Sequence, residues 1–220
     1  MAAGTDGDFR SDPLYQTYIL RAQRVQADAG TTLIREGDTP QNLYLLLSGS
    51  LTVSTVDEQG REMVLAWLGP GEFCGEMGLF PDQSLRSAAV TVRQSAWLAR
   101  MEYDAVRRLA TEHPDFVFRL AGQLAQRLRT TNQRLLSLGY LDVAGRIARI
   151  LLDLCDSDQA RKVEGGVQIT LTRQELARMA ACSREVAGRV LKTLEQEGVI
   201  RSEGRRITIM DRPGAVSVEP

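Results

Sequence analysis

Short apolar segments alternate with turn residues throughout the first half of this 220-residue chain. Gly, Pro, Ser or Asp interrupt the apolar pattern at intervals of about 8–12 residues, which is typical of an all-β unit. The segments lie at 31–34, 43–47, 51–56, 63–68, 88–92 and 95–99. This spacing predicts an antiparallel β-barrel or jelly roll, a fold in which few strand edges are left open.

Two chemically distinctive clusters interrupt this strand pattern between residues 73 and 90. The first is the turn from Gly75 to Gly78, whose small residues allow backbone N–H groups to approach a ligand closely. The second is Arg86-Ser87, a cation beside a hydroxyl group, which suits an anionic phosphate. Glu76 lies between them and can accept a hydrogen bond from a sugar hydroxyl. Together they indicate a nucleotide pocket, although Glu76 and Arg86 could instead form a simple surface ion pair.

A long helix is predicted after the strands. A short helix at 103–110 precedes His113-Pro114-Asp115, and proline favours the first turn of a helix. The apolar residues that follow are spaced by three or four and form a narrow stripe once Thr131 is included: Val117, Leu120, Leu124, Leu128, Leu135 and Leu138. This pattern, which ends near Gly139, is typical of a helix that pairs with its symmetry mate. The alternative is a helix that packs on its own β-unit.

The C-terminal part predicts a helix-turn-helix with a β-hairpin wing. Thr172 and Glu175 have the spacing of a capping box, and Ser183 can cap a second helix after a tight turn. That helix carries Arg184, Glu185, Gly188, Arg189 and Lys192 on its outward side. Arginine is the usual partner of guanine in the major groove, and a glutamate can accept from cytosine N4. A solvated charged face on an ordinary helix pair is the alternative.

Composition excludes several other classes of protein. The net charge of -1 gives no sign of a uniformly basic nucleic-acid binder, and no apolar run or leader indicates a membrane or secreted protein. The three cysteines lack metal-ligand spacing and predict reduced thiols in a cytoplasmic protein. With one histidine and no metal-ligand cluster, we expect neither a metal site nor an enzyme, which disfavours an enzyme that acts on a nucleotide.

Several motifs together resemble the CRP/FNR family of transcription regulators, and in particular its cyclic-AMP receptor branch. They are Gly-Glu-Met-Gly-Leu-Phe at 75–80, Arg-Ser-Ala at 86–88, Leu-Asp-Val-Ala-Gly-Arg-Ile-Ala at 141–148 and the motifs at 172–175, 182–185 and 188–192. The resemblance covers about residues 28–210 and implies an α+β chain. It implies a cyclic nucleotide-binding β-barrel or jelly roll at 13–112, a dimerisation helix at 113–139 and a winged helix-turn-helix at 140–220.

The resemblance also implies a role for each residue of the nucleotide pocket. Glu76 would accept the ribose 2′-hydroxyl group, and Arg86 with Ser87 would bind the cyclic phosphate. The remaining implied contacts are backbone lining by Gly75 and Met77, base packing by Val53 and Leu65, and base recognition by Thr131 and Asn132. Asn132 stands where the family usually has Ser or Thr. The implied effector is cAMP, with cGMP and cyclic di-GMP as alternatives, and no further cofactor is expected.

For the helix-turn-helix, the resemblance implies recognition of TGTGA-like half-sites in double-stranded DNA. Arg184, Glu185 and Arg189 would read bases, whereas Arg173, Ser183 and Lys192 would contact the DNA backbone. Val186 replaces a threonine, so that one phosphate contact is expected to be lost. The implied partners are a second copy of the chain and RNA polymerase, the latter through residues 160–168. A ligand-binding dimer that has lost DNA recognition is the alternative.

Overall fold

The chain divides into two compact units in a computed structural model, Met1–Thr131 and Asn132–Pro220. The structure describes residues 9–80, 85–157 and 160–210, apart from the side chains of residues 134, 137, 138 and 140. The side chain of Leu138, the last residue of the predicted apolar stripe, therefore lies outside this description. Residues 211–220 of the predicted C-terminal domain also lie outside the described residues.

The first unit is an antiparallel sheet flanked by helices. Its elements are α1 (Pro13–Arg21), β1 (Gln23–Ala27), β2 (Thr32–Ile34), β3 (Asn42–Val56), β4 (Glu62–Leu68), β5 (Phe73–Cys74), β6 (Ala89–Glu102), α2 (Tyr103–Glu112) and the part of α3 (Asp115–Tyr140) up to Thr131. The strands pair in the order β1-β6-β3-β4, with β2 also on β6 and β5 also on β3. The predicted α+β class with an antiparallel β-unit is confirmed, and among the described strands the sheet is jelly-roll-like rather than a closed barrel.

Strands β3 and β6 are each longer than the sequence predicts. Each was expected as two strands, because Ser48-Gly49-Ser50 and the polar residues near Gln94 have the composition of turns. In the structure both strands continue through these positions, and their mutual pairing shifts register between Leu46 and Leu51. Gly49 has a φ of 89°, and a Cβ there would lie 2.8 Å from the Ala96 Cα atom. The glycine therefore bends a paired strand instead of ending it.

Strands β3 and β6 contribute to two separate hydrophobic clusters, because successive side chains of a strand point to opposite faces of the sheet. One cluster packs the sheet against the helices and includes Leu43 and Leu45 of β3. The other lies within the jelly roll and includes Leu46 and Leu51 of the same strand. The first cluster is rich in aromatic rings. Phe73 is at its centre, with ring centroids 5.1–5.6 Å from those of Tyr15, Tyr18 and Phe116.

The long helix α3 has two different halves. Its first half belongs to the core of the first unit, because Phe116 and Leu120 are only 2% and 4% exposed. Leu120 was assigned to the dimer stripe, and that assignment is wrong for this reason. Farther along, Leu128, Leu135 and Leu136 are 60–67% exposed. The helix also continues past Gly139 to Tyr140, so the predicted end is one residue early.

The second unit carries the predicted winged helix-turn-helix. Its elements are α4 (Val143–Cys155), β7 (Arg161–Val163), β8 (Gly166–Thr170), α5 (Arg173–Met179), α6 (Arg184–Gln196), β9 (Ile200–Glu203) and β10 (Arg206–Met210). The wing is part of a four-stranded antiparallel sheet in the order β7-β8-β10-β9. Strands β7 and β8 form a hairpin, in which Val163 pairs with Gly166. Of the helices described, none has an apolar stretch long enough to cross a membrane.

Candidate functional site

The Gly75–Gly78 turn sits at the end of β5 and is tightly enclosed. Gly75 has a φ of 84°, a left-handed conformation that favours glycine. A Cβ at Gly75 would lie 2.8 Å from Arg86 Nη1 and 2.9 Å from the Asn42 carbonyl oxygen. A Cβ at Gly78 would lie 2.6 Å from the Tyr103 hydroxyl oxygen. Any larger residue at either position would therefore displace the groups that surround the turn.

Arg86 is drawn into this turn by three hydrogen-bond acceptors. Its Nη1 group donates to the Gly75 carbonyl (2.9 Å) and to the Tyr103 hydroxyl (2.8 Å), and Nη2 donates to the Asn42 carbonyl (2.9 Å). Tyr103 also donates to the Gly75 carbonyl at 2.5 Å. Burial raises the pKa of Tyr103, so this hydroxyl stays protonated. The two clusters seen in the sequence, Gly75-Glu76 and Arg86-Ser87, are thus brought together.

The guanidinium of Arg86 keeps donors for an anion. Guanidinium has five N–H donors, and the Nε–H group and one Nη2–H make no hydrogen bond to the part of the chain that the structure describes. The main chain is held as well, since Arg86 N donates to Asp38 O and Arg86 O accepts from Gly37 N, both at 2.9 Å. Ser87, the next residue, is exposed. The arrangement suits a planar bidentate contact with a phosphate group.

The ionic partner of Glu76 is Arg127 of α3. Arg127 Nη1 lies 2.8 Å from Glu76 Oε1, and Glu76 is only 6% exposed. Arg127 Nη2 also donates to the Phe73 carbonyl. A simple surface pair between Glu76 and Arg86 is therefore not what the structure contains. Sequence reasoning missed Arg127 because its partner is 51 residues away and no local spacing indicates the contact.

Cys74 precedes the turn and is chemically inert. It is 2% exposed, and burial, with a smaller contribution from the nearby Glu76 carboxylate, raises the pKa of its thiol to about 12. A protonated, enclosed thiol cannot act as a nucleophile. Within the stretches that the structure covers, no three His, Cys, Asp or Glu side chains come together in a way that would hold a metal ion.

The other predicted pocket residues have less enclosed positions. Val53 packs partly against the inner cluster of the jelly roll. Leu65 is 40% exposed beside a β-bulge, where Val53 pairs with Ala66 and Ser54 with Val64. Because the register shifts at this bulge, the orientation of Leu65 could not be inferred from strand alternation. The remaining members, Met77, Thr131 and Asn132, are exposed.

In the second unit, the helix starts are capped as the sequence predicts. Thr172 Oγ1 accepts from Glu175 N, and the Glu175 carboxylate accepts from Thr172 N at 2.6 Å, which completes the capping box of α5. Ser183 caps α6 by accepting from Val186 N at 3.3 Å. Arg146 of α4 donates to the Ala180 carbonyl at 3.1 Å and so fixes the turn between the two helices.

A concave, positively charged surface lies between α6 and the wing. Five of the six residues predicted to contact DNA line this surface: Arg173 of α5 and Arg184, Glu185, Arg189 and Lys192 of α6. Glu195 and Ser202 complete the charged and polar part of the lining. Four cations against two carboxylates give this surface a net positive charge. Ser183, the sixth predicted residue, is exposed at the start of α6. The surface has the charge and position of a DNA interface.

Two further contacts shape this surface. The carboxylate of Glu185 has a lowered pKa, first because it accepts from its own backbone N–H and then because Ser183 donates to it. Glu195 Oε1 accepts from Ser202 N at 2.9 Å, which joins the last turn of α6 to the wing strand β9. Sequence reasoning missed Glu195 and Ser202, since neither charge nor periodicity distinguishes them from ordinary surface residues.

Comparison with known proteins agrees with this geometry. Residues 24–113 match the cyclic nucleotide-binding domain family, and residues 145–214 match the Crp-like helix-turn-helix domain family. A cAMP-activated global transcriptional regulator CRP from Haemophilus influenzae is 38% identical over 198 residues, which cover 90% of this chain and 88% of that protein. The chain belongs to the CRP/FNR family. The resemblance noted in the sequence is thereby confirmed.

Other members of the CRP/FNR family differ in the effector that their names record. The cAMP-activated global transcriptional regulator Vfr from Pseudomonas aeruginosa is 38% identical, covering 87% of this chain and 91% of its own. Among solved structures, the c-di-GMP responsive global regulator CLP from Xanthomonas campestris has a TM-score of 0.83 at 33% identity, covering 90% of this chain and 98% of its own. These CRP/FNR relatives are transcription regulators, which confirms that the chain is a regulator and not an enzyme.

Proposed function

We propose that this CRP/FNR regulator is a homodimer that binds cAMP in each N-terminal unit and then binds TGTGA-like palindromes in DNA. The observation that carries the proposal is the meeting of Arg86 with the Gly75 turn beside the buried carboxylate of Glu76. A fixed cation next to a hydroxyl acceptor suits a cyclic phosphate joined to a ribose. Relatives named as cAMP-activated support the choice of effector.

The proposed roles follow the chemistry of each group. Arg86 and Ser87 bind the cyclic phosphate, Glu76 accepts from the ribose 2′-hydroxyl, and Gly75 and Met77 supply backbone lining. The base contacts Val53, Leu65, Thr131 and Asn132. In DNA, base edges contact Arg184, Glu185 and Arg189, while phosphates contact Arg173, Ser183 and Lys192. RNA polymerase is the proposed further partner, at residues 160–168.

The exposed half of α3 supports a homodimer. Leu128 and Leu135 are 61% and 67% exposed, and both belong to the apolar stripe predicted from the sequence. A second copy of the same helix is the simplest partner for such a stripe. In this dimer, two DNA-binding units would meet successive major grooves about 34 Å apart. Cyclic nucleotide acts by binding the DNA-competent state more tightly, and shifting a 1:99 equilibrium to 99:1 takes roughly 5.5 kcal/mol.

A titration in two stages tests the proposal. We expect cAMP to bind with higher affinity than cGMP or cyclic di-GMP in calorimetry. We also expect saturating cAMP to raise the affinity for a TGTGA palindrome over a scrambled duplex in a mobility-shift assay. Tighter binding of cyclic di-GMP would favour a second candidate function, a regulator controlled by that dinucleotide, which the likeness to CLP supports. Nucleotide binding with no preference for the palindrome over the scrambled duplex, with or without nucleotide, would instead favour a dimer that has lost DNA recognition.

Asn132 offers a test of base recognition. Because asparagine stands where the family usually has Ser or Thr, we expect Asn132→Ser to change the ratio of cAMP to cGMP affinity by about tenfold, the effect of one hydrogen bond. Gln126→Ser is the matched control, since Gln126 is also exposed on α3 but lies more than one turn away. Calorimetry that finds both affinities unchanged in Asn132→Ser would exclude a base contact.

A further inference from the structure

Helix α3 satisfies both backbone groups of a single residue on β5. Gln123 Oε1 accepts from Phe73 N at 3.0 Å, and Arg127 Nη2 donates to the Phe73 carbonyl. Gln123 and Arg127 are four residues apart and so lie on the same face of the helix. Strand β3 pairs with β5 along its other edge, where Leu45 faces Phe73. The two side chains therefore take the place of a neighbouring strand.

Gln123 makes more contacts than this one bond. Its Nε2 group donates to the Gly71 carbonyl at 2.9 Å and to the Tyr15 hydroxyl at 3.1 Å. The oxygen and the nitrogen of the carboxamide are thus both hydrogen-bonded to the backbone, the oxygen at Phe73 and the nitrogen at Gly71. Phe73 is 1% exposed, so neither of its backbone groups can turn to water instead. Its ring is held as well, by three neighbouring aromatic rings.

This fixed segment leads directly into the nucleotide turn. Only Cys74 and Gly75 separate Phe73 from Glu76, and Gly75 is confined by Arg86 and by the Asn42 carbonyl. The position of the Glu76 carboxylate is therefore determined by where Phe73 is held on one side and by Arg127 on the other. Gln123 does not contact the carboxylate, but it sets the backbone from which that side chain projects.

We propose that Gln123 is a positioning residue for ribose recognition, because its carboxamide fixes the Phe73 backbone and so places the Glu76 carboxylate against the 2′-hydroxyl group. The inference rests on the proposed function, since it assumes that the pocket binds a cyclic ribonucleotide. Its consequence is selective. Losing Gln123 should weaken the contact with the 2′-hydroxyl more than the contact of Arg86 with the phosphate, because Arg86 is held by its own three acceptors.

Comparison of cAMP with 2′-deoxy-cAMP isolates the hydroxyl contact. A hydrogen bond to a charged group corresponds to roughly a tenfold to hundredfold preference, which we expect the wild-type dimer to show for cAMP. In Gln123→Met, which keeps the length of the side chain without its polar ends, we expect calorimetry to give a preference of about threefold or less. The affinity for 2′-deoxy-cAMP should stay within about threefold of wild type.

Two further variants separate positioning from folding. Gln123→Glu keeps an acceptor for Phe73 N and should retain more of the preference than Gln123→Met. Gln126→Met, on the exposed side of the same helix, should retain all of it. Tryptophan fluorescence monitors the fold of this unit, because Trp67 and Trp97 both lie within it.

Each outcome has a distinct meaning. If Gln123→Met lowered the affinities for cAMP and 2′-deoxy-cAMP equally, Gln123 would have a merely structural role and the inference would be overturned. An unchanged preference would overturn it too, while leaving the proposed function intact. A wild-type protein that binds neither nucleotide would overturn the proposed function and the inference together.

Discussion

Replacing Arg86 with leucine is expected to lower cAMP affinity by at least about 100-fold, the effect of losing two charge-assisted hydrogen bonds to one phosphate. The guanidinium donates to the Gly75 carbonyl, and two of its N–H donors make no hydrogen bond to the described residues and can therefore bind an anion. Leucine offers neither charge nor donors. Isothermal calorimetry on the purified protein measures the loss, and the mobility-shift assay should show that cAMP no longer raises DNA affinity.

Two controls make this result interpretable. Arg61→Leu removes a cation that is paired with Asp57 at 2.7 Å on the surface of the same unit, and it should leave cAMP affinity unchanged. Arg86→Leu also removes partners from the Gly75 and Asn42 carbonyls, so thermal unfolding followed by tryptophan fluorescence must show that the unit remains folded. A folded Arg86→Leu protein with wild-type affinity would disprove the role of Arg86 in phosphate binding.

The second large effect is expected in DNA recognition. Arg184→Ala should cost about 1–3 kcal/mol on a TGTGA palindrome and should relax the preference at one base pair of each half-site. Arg184 is the first residue of α6 and lines the concave surface beside the wing. Helix starts are the part of a recognition helix that reaches the base edges. Binding titrations on duplexes with single base changes in the half-site measure both effects.

Arg173→Ala provides the contrast. Arg173 lines the same surface from α5, and as a proposed phosphate contact it should weaken binding to all duplexes about equally. It should also reduce the slope of log affinity against log salt by about 1. If Arg184→Ala gave this uniform pattern instead, then Arg184 would be a backbone contact, and base reading would have to come from other residues of α6.

Local patterns in the sequence predicted much of this molecule. The capping box of Thr172 and Glu175 and the cap at Ser183 depend on residues three positions apart, so that their geometry follows from spacing alone. The strand pattern likewise predicted an antiparallel β-unit. The proximity of Arg86 to Gly75 could be predicted from their chemistry, because an arginine and a glycine-rich turn can both bind the same nucleotide.

Other features depend on contacts between distant parts of the chain. The helical pattern of the sequence does not distinguish Gln123 and Arg127 from other polar residues of α3. They contact Phe73 only because α3 packs on β5. Gly49 has the composition of a turn, but in the folded chain its lack of a Cβ lets β6 approach and the strand continue. Leu120 follows the periodicity of an interface, yet it is buried in its own unit. Periodicity identifies an apolar face without identifying what covers it.

The contacts of α3 with β5 determine how long a fragment must be to contain a complete nucleotide-binding unit, which we call the sensor. The match to the cyclic nucleotide-binding family ends at residue 113, before α3 begins. A fragment cut there would leave the Phe73 N–H and carbonyl groups without Gln123 and Arg127, and it would remove the ionic partner of Glu76. The smallest independent sensor therefore extends at least through Arg127. That unit includes residues 115–127, more than three turns of a helix that begins beyond the end of the family match.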